Sequence, residues 1–210
     1  IELEGDTNKM DALVAHFRSL DPTRLYTSTS FSFSPRGQTP GPEDDYFISQ
    51  ETSCGWVRGQ GFLNSTRPNT DSDYRHGLAC ISIPLVAHEV GQYCVYPDLA
   101  EIPKYDGALR NLGFEAIRND LKSKGRLADA PRLTRDSGKL AAVLYKEDIE
   151  RALRTKDQAG LALLDLHDFP GQGTATVGLL DAFWDSKGLI TPAAFRRFCA
   201  PVVPLARQTE

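Results

Sequence analysis

The segment Ile81-Ser82-Ile83-Pro84-Leu85-Val86-Ala87 constrains this chain more than any other. It carries no charge and runs directly into His88, Glu89, Val90 and Gly91. An uncharged apolar run of that length, closed by a turn signal, reads as a strand buried on both faces. Such strands belong to parallel sheets covered by helices, where the chemistry sits at the carboxyl ends of the strands. His88 and Glu89 stand at such an end. On this segment alone, Glu89 is either a catalytic carboxylate or a structural one that caps the next segment or pairs with an arginine.

The same pattern recurs later. Gly160-Leu161-Ala162-Leu163-Leu164-Asp165-Leu166-His167-Asp168 reads as a second buried strand ending in Asp165, His167 and Asp168, and Phe169-Pro170-Gly171-Gln172-Gly173 turns the chain. Arg24–Phe33, rich in Thr, Tyr and Phe, and Tyr46–Ser49 read as further strands. Met10, Leu13, Val14 and Phe17 recur at helical spacing behind Asp6, Thr7 or Asn8 as N-cap and before Asp21-Pro22. Phe114, Ile117 and Leu121 mark a second helix, with Gly125 as its C-cap. A third is expected to start at Ser137 and to carry Leu140, Val143, Leu144 and Leu153. Thr191-Pro192 opens a last one, with Phe195, Phe198 and Cys199 inward. The Pro/Gly-rich stretch 35–42 and the Gly/Asn-rich stretch 55–73, which holds Trp56, Arg58 and Arg67, read as irregular. Strands alternating with helices predict a parallel α/β architecture. The chain shows neither the Rossmann nor the Walker glycine spacing, so part of a (β/α)8 TIM barrel is favoured over a nucleotide-binding fold.

Composition narrows the function classes. With 24 basic and 28 acidic residues, and no long Lys/Arg cluster, neither nucleic acid nor an anionic membrane is an expected partner. No apolar run approaches the roughly 20 residues of a membrane span. Cys54, Cys80, Cys94 and Cys199 lack CxxC spacing, so no metal site and no cofactor is expected. Ile1-Glu2-Leu3-Glu4-Gly5-Asp6 reads as a strand end, with Glu2 and Glu4 on one face. The chain is therefore expected to begin inside a domain.

If the strands are parallel, Glu2/Glu4, His88/Glu89 and Asp165/His167/Asp168 share one rim. Two carboxylates facing each other there meet the requirement of glycoside hydrolysis, at about 5–5.5 Å in retaining enzymes. Asp165, His167 and Asp168 suit hydrogen bonds to sugar hydroxyls. Trp56, Tyr93, Tyr96 and Trp184 offer an apolar platform, although Trp184, within Leu180–Trp184, reads rather as core. His16 reads as a helix-surface or satisfied core position, and His76 as a loop residue.

Pro84-Leu85-Val86-Ala87-His88-Glu89-Val90-Gly91-Gln92-Tyr93 resembles the nucleophile strand of glycoside hydrolase family 2 and its β-galactosidase-like relatives. Leu163–Gly173 resembles the eighth strand and following loop of the same group, and Glu2–Asp6 the segment after the fourth strand. The resemblance implies a retaining β-glycosidase with Glu89 as nucleophile and Glu2 as acid/base, and it puts His88, Gln92, Tyr93, Trp56, Asp165, His167 and Asp168 against a carbohydrate substrate. Ile1 departs from the family, which has Asn there, so Glu4 is the fallback acid/base. The departure also keeps open a non-catalytic carbohydrate-binding relative. An unrelated barrel enzyme such as an isomerase, with His88-Glu89 as base, is the third reading, lowered by the missing phosphate-binding signature. On the resemblance, residues 1–210 are the C-terminal half of the catalytic barrel, strands four to eight. The rest of the barrel and accessory β-domains would precede them, and the place of work would be periplasmic or extracellular. Open edges of buried-type strands invite pairing. Residues 1–210 alone are thus expected to self-associate, and a monodisperse, cooperatively unfolding monomer in analytical ultracentrifugation would count against the half-barrel reading.

Overall fold

A single long helix covers the sheet, and its sequence explains why. Ala141, Leu144, Tyr145, Asp148, Ile149 and Ala152 recur at three- and four-residue steps, which aligns them on one face. In the computed structural model, which describes residues 7–28, 38–60, 62–169, 172 and 175–208, all six are buried. They lie on helix α4 (Ala130–Arg154), which packs on the central strands. Pro131 occupies its first turn, where a missing N–H costs nothing. The helix therefore begins seven residues before Ser137. That hydroxyl does not cap the helix; it bonds back to the Leu133 carbonyl (2.7 Å) and accepts from the Tyr96 N–H (2.8 Å). Leu140, Val143 and Leu153 are largely exposed.

The chain is a mixed α/β fold with a three-stranded parallel sheet. Strand β1 (Phe47–Ser49), strand β4 (Leu85–Gly91) and strand β5 (Gln158–Leu164) pair in the order β1-β4-β5, with β4 central. Strands β2 (Glu51–Thr52) and β3 (Gly55–Trp56) form a small antiparallel hairpin. Helices α1 (Thr7–Leu20), α2 (Arg75–Leu78), α3 (Leu112–Ser123) and α5 (Pro192–Phe195) complete the elements. One core cluster joins Phe47, Leu85, Ala87 and Val90 of the sheet to Val57, Ile149 and Phe198. A second joins Leu63, Tyr93 and Val95 to Ala141, Leu144 and Tyr145. Full burial of each Val, Leu, Ile or Phe side chain among them contributes about 1.5–3 kcal/mol.

The central strand lies four residues further on than its apolar run predicts: Ile81–Ile83 stays outside the ladder, Pro84 only accepts the Phe47 N–H (2.8 Å), and His88–Gly91 enters the strand. The last strand likewise stops at Leu164 instead of Asp168, and, lying at the sheet edge, it has no fully buried residue, contrary to the buried strand its apolar run predicts. The first part of the expected strand 24–33 is irregular. It is tied down by aspartates: Asp45 accepts from the Tyr26 N–H (2.8 Å) and Asp44 from the Ser28 N–H (2.6 Å). Its remainder lies outside the described residues, as do Glu2 and Glu4. Helix α1 matches its spacing, but only Val14 of its stripe is buried; Leu13, Phe17 and Leu20 are exposed. Helix α3 ends as expected at Gly125, which takes a left-handed φ of 66° while the next N–H donates to Leu121. Thr191 caps α5 through the Ala194 N–H (3.1 Å).

Asp148 stands on the inner face of α4 and is fully buried, next to Glu147, which is buried against Arg151. Asp148 accepts from the Tyr74 hydroxyl (2.6 Å), the Tyr93 hydroxyl (2.8 Å) and the Gly59 N–H (2.9 Å), with the Gly91 N–H at 3.4 Å. Burial pushes its carboxyl above the usual range, and these donors pull it back. Asp148→Ala leaves those donors buried without an acceptor, so the variant is expected to lose roughly 3 kcal/mol or more. Urea denaturation measures this, and a loss below about 1 kcal/mol would disprove the role.

Candidate active site

The carboxyl end of β4 is irregular in a defined way. Ala87 pairs with Leu161, but Val90 pairs with Leu163, so β4 carries one extra residue between those rungs. That is a β-bulge, a device that redirects side chains. The chain accommodates it by placing Glu89 at φ 56° and, just past the strand, Gln92 at φ 62°. Left-handed backbone at non-glycine residues costs about 1–3 kcal/mol each and needs support from its surroundings. Gly91 lies between them at φ 107°, where a Cβ would come within 2.5 Å of the Tyr145 ring.

The support comes from Arg58. Its Nη1 donates to the Glu89 carbonyl (2.7 Å), to Glu89 Oε2 (3.2 Å) and to Gln92 Oε1 (3.2 Å). Its Nη2 donates to Gln50 Oε1 (2.9 Å) and Gln60 Oε1 (2.5 Å). Gln50 in turn donates through Nε2 to Glu89 Oε2 (2.5 Å). Arg58 and Gln50 are 3% and 2% exposed, whereas a quarter of the Glu89 side chain reaches solvent. Burial draws the Arg58 guanidinium below its usual range, and the Glu89 charge opposes that. Both donors converge on Oε2. Among the described residues, none donates to Oε1.

Glu89 opens on a cleft of about 430 Å³. Gln60, Gln92, Asp165 and Gln172 supply polar groups to it, and Phe169 and Val177 apolar surface. Because β1, β4 and β5 are parallel, Gln50, Glu89 and Asp165 meet at one end of the sheet. The structure thus brings Glu89, Gln92 and Asp165 together. A carboxylate fixed on one oxygen and open on the other is arranged for nucleophilic or electrostatic work at a developing cation.

Other sequence-derived residues stand elsewhere. Tyr93 is buried and donates its hydroxyl to Asp148. Asp168 is buried against Lys187 Nζ (2.7 Å) and the Gly178 N–H (2.8 Å). His167 Nδ1 bonds to the Asp168 carbonyl oxygen (2.7 Å), and its ring lies 4.5 Å from that of Trp184, which is 60% exposed and so not a core residue. Trp56 is exposed on the hairpin, and His88 is half-buried within β4. His16 is exposed on α1; His76 is exposed too, but in the short helix α2 and not in a loop. Gln50, Arg58 and Gln60 are the residues that sequence reasoning missed. Only Gln50, directly after a short apolar strand, carried a positional signal. Among the described residues, no three His, Cys, Asp or Glu side chains are placed to hold a metal ion, and no helix is long and apolar enough to cross a membrane.

Comparison with protein-family models and with curated proteins finds no match.

A second acidic group lies beside the Asp168–Lys187 pair. Glu101 is 5% exposed, and its Oε2 has no hydrogen-bond partner among the described residues. Lys104 is engaged with Asp181 and Asp185, so it does not neutralise Glu101. Burial, with Asp181 and Asp168 adding repulsion, pushes the Glu101 carboxyl up to about 7. A raised native pKa means that the folded state holds the proton more tightly than the unfolded chain. The stabilisation is complete below the ordinary carboxylate range and disappears as pH rises to about 7. Between pH 4.5 and 7 this group is expected to remove roughly 3 kcal/mol. Glu101→Gln should flatten that part of the slope, as read by denaturant titrations at both pH values. Parallel slopes for the two proteins would refute it.

Proposed function

We propose that the chain is part of a retaining β-glycosidase in which Glu89 is the nucleophile. The observation that carries this reading is the Glu89 carboxylate itself. It stands on a β-bulge at the carboxyl end of the central parallel strand, held through Oε2 by Gln50 and Arg58, and faces a polar cleft. A nucleophile for an oxocarbenium-like centre needs that fixed orientation, since attack requires one oxygen aligned with the anomeric carbon. The resemblance of Pro84–Tyr93 to the family 2 nucleophile strand points to the same residue. On this reading β4 and β5 are the seventh and eighth strands of a (β/α)8 barrel.

The reaction is a double displacement. Glu89 attacks the anomeric carbon, the glycosidic oxygen takes a proton and leaves, and a glycosyl ester forms on Glu89. Water then hydrolyses the ester with the acid/base acting in reverse. Glu2 is the acid/base by the resemblance, with Glu4 as fallback; both lie outside the described residues. In the cleft, Gln60, Gln92 and Asp165 suit hydrogen bonds to sugar hydroxyls. The Cys54–Cys80 disulfide accords with a protein that works outside the cytoplasm.

A 2-fluoroglycoside trap on the full-length enzyme that carries residues 1–210 should label Glu89, and Glu89→Gln should lower its kcat by at least about a thousandfold. Label on another residue would sink the assignment. Sugar binding with no turnover, even of activated aryl glycosides, would favour the non-catalytic carbohydrate-binding relative.

A further inference from the structure

The two side chains that hold Glu89 are the two ends of one hairpin. Strands β2 and β3 pair Glu51 with Trp56 and Thr52 with Gly55. The Val57 N–H then donates to the Gln50 carbonyl (3.1 Å). Hairpin register therefore sets the separation of the Gln50 amide and the Arg58 guanidinium. With two residues per strand, this hairpin is too short to keep its shape unaided.

It is held from outside, by α2 and the residues after it. Cys54, in the turn, is disulfide-bonded to Cys80, with a Cα–Cα separation of 6.0 Å. The Thr52 hydroxyl donates to the Gly77 carbonyl (2.5 Å). Gly77 lies so close that a Cβ there would come within 2.4 Å of the Trp56 carbonyl oxygen. Tyr74, at the head of α2, is anchored on Asp148 and on the Thr155 hydroxyl (2.9 Å). Of these ties only the disulfide is covalent. Cys80 is exposed and Cys54 half-buried, so the bond is reachable by thiols.

We propose that the Cys54–Cys80 disulfide is the brace that sets the Gln50–Arg58 clamp on Glu89, so that activity matures only where this bond forms. Formation joins the two Sγ atoms; two protons leave, and two electrons pass to a disulfide oxidant, which becomes a dithiol. A dithiol reductant reverses the step. Neither core cluster contains the two cysteines, so the reduced protein keeps its fold and loses the setting of the clamp. As a statement about catalysis, the proposal rests on the glycosidase reading; as a statement about the clamp, it does not.

The test compares the oxidised protein, the same protein in dithiothreitol, and a Cys54→Ser/Cys80→Ser variant. Three readouts are taken: hydrogen exchange, alkylation followed by mass measurement, and turnover of a panel of aryl β-glycosides. Reduction is expected to speed exchange over residues 50–60 and 88–92 at least tenfold. Exchange over 141–152 should stay unchanged, kcat should fall at least tenfold, and reoxidation should reverse all of this. The double variant should match the reduced protein and ignore the reductant. The proposal is overturned by equal exchange over 50–60 in oxidised and reduced protein. It is equally overturned by loss of protection over 141–152, or by alkylation of Cys54 and Cys80 without reductant. If the full-length oxidised protein that carries residues 1–210 turns over no glycoside, the glycosidase reading falls, and the exchange comparison decides the brace.

Discussion

The buried carboxylate of Asp148 is the interaction on which the rest of this structure depends. An ionised acid inside a protein is costly unless its oxygens are filled by donors. Here the donors come from three separate stretches of chain: Gly59 after the hairpin, Tyr74 at the head of α2, and Gly91 with Tyr93 at the exit of the central strand. The first two of these stretches have no long ladder or helix of their own, and the third is the end of β4. Gly59 follows Arg58 directly, and Gly91 comes two residues after Glu89. One side chain on a rigid helix therefore fixes the backbone on both sides of the Arg58–Glu89 pair.

That arrangement explains how the strand end tolerates its backbone. Glu89 and Gln92 both sit in left-handed conformations that their side chains disfavour. The guanidinium of Arg58 answers this by donating to the Glu89 carbonyl as well as to its carboxylate and to the Gln92 amide. The same group that orients the carboxylate thus stabilises the bulge that aims it. Arg58 is suited to this because its planar fork offers several donors at once and stays charged when buried.

The other acidic segment, around Asp165–Asp168, divides by burial. Asp165, just past β5, reaches the cleft. Asp168, three residues on, is turned inward to Lys187 and Gly178 and braces the 175–188 region, with Glu101 and Asp181 beside it. His167 lies between them in sequence, its ring tilted against that of Trp184. One sequence motif therefore contributes both a cleft residue and a structural ion pair.

The sequence by itself determined the class of fold and the position of Glu89 near a strand end. Uncharged runs ending in acids mark parallel strands, and apolar spacing, Gly125 and Thr191 mark the helices, because these features are local consequences of periodicity and capping. It also marked Glu89, two residues past the end of such a run, where parallel α/β folds place their chemistry. What surrounds it was decided by tertiary structure alone. Gln50 and Arg58 lie 39 and 31 residues from Glu89, and Asp148 lies 89 residues from Gly59. No period or spacing carries those distances. The bulge, the inward turn of Tyr93 and Asp168, and the Cys54–Cys80 pairing likewise follow from which surfaces meet when α4 closes on the sheet. Local sequence fixes what each segment tends to be; only packing fixes which polar groups share a buried space and must satisfy one another.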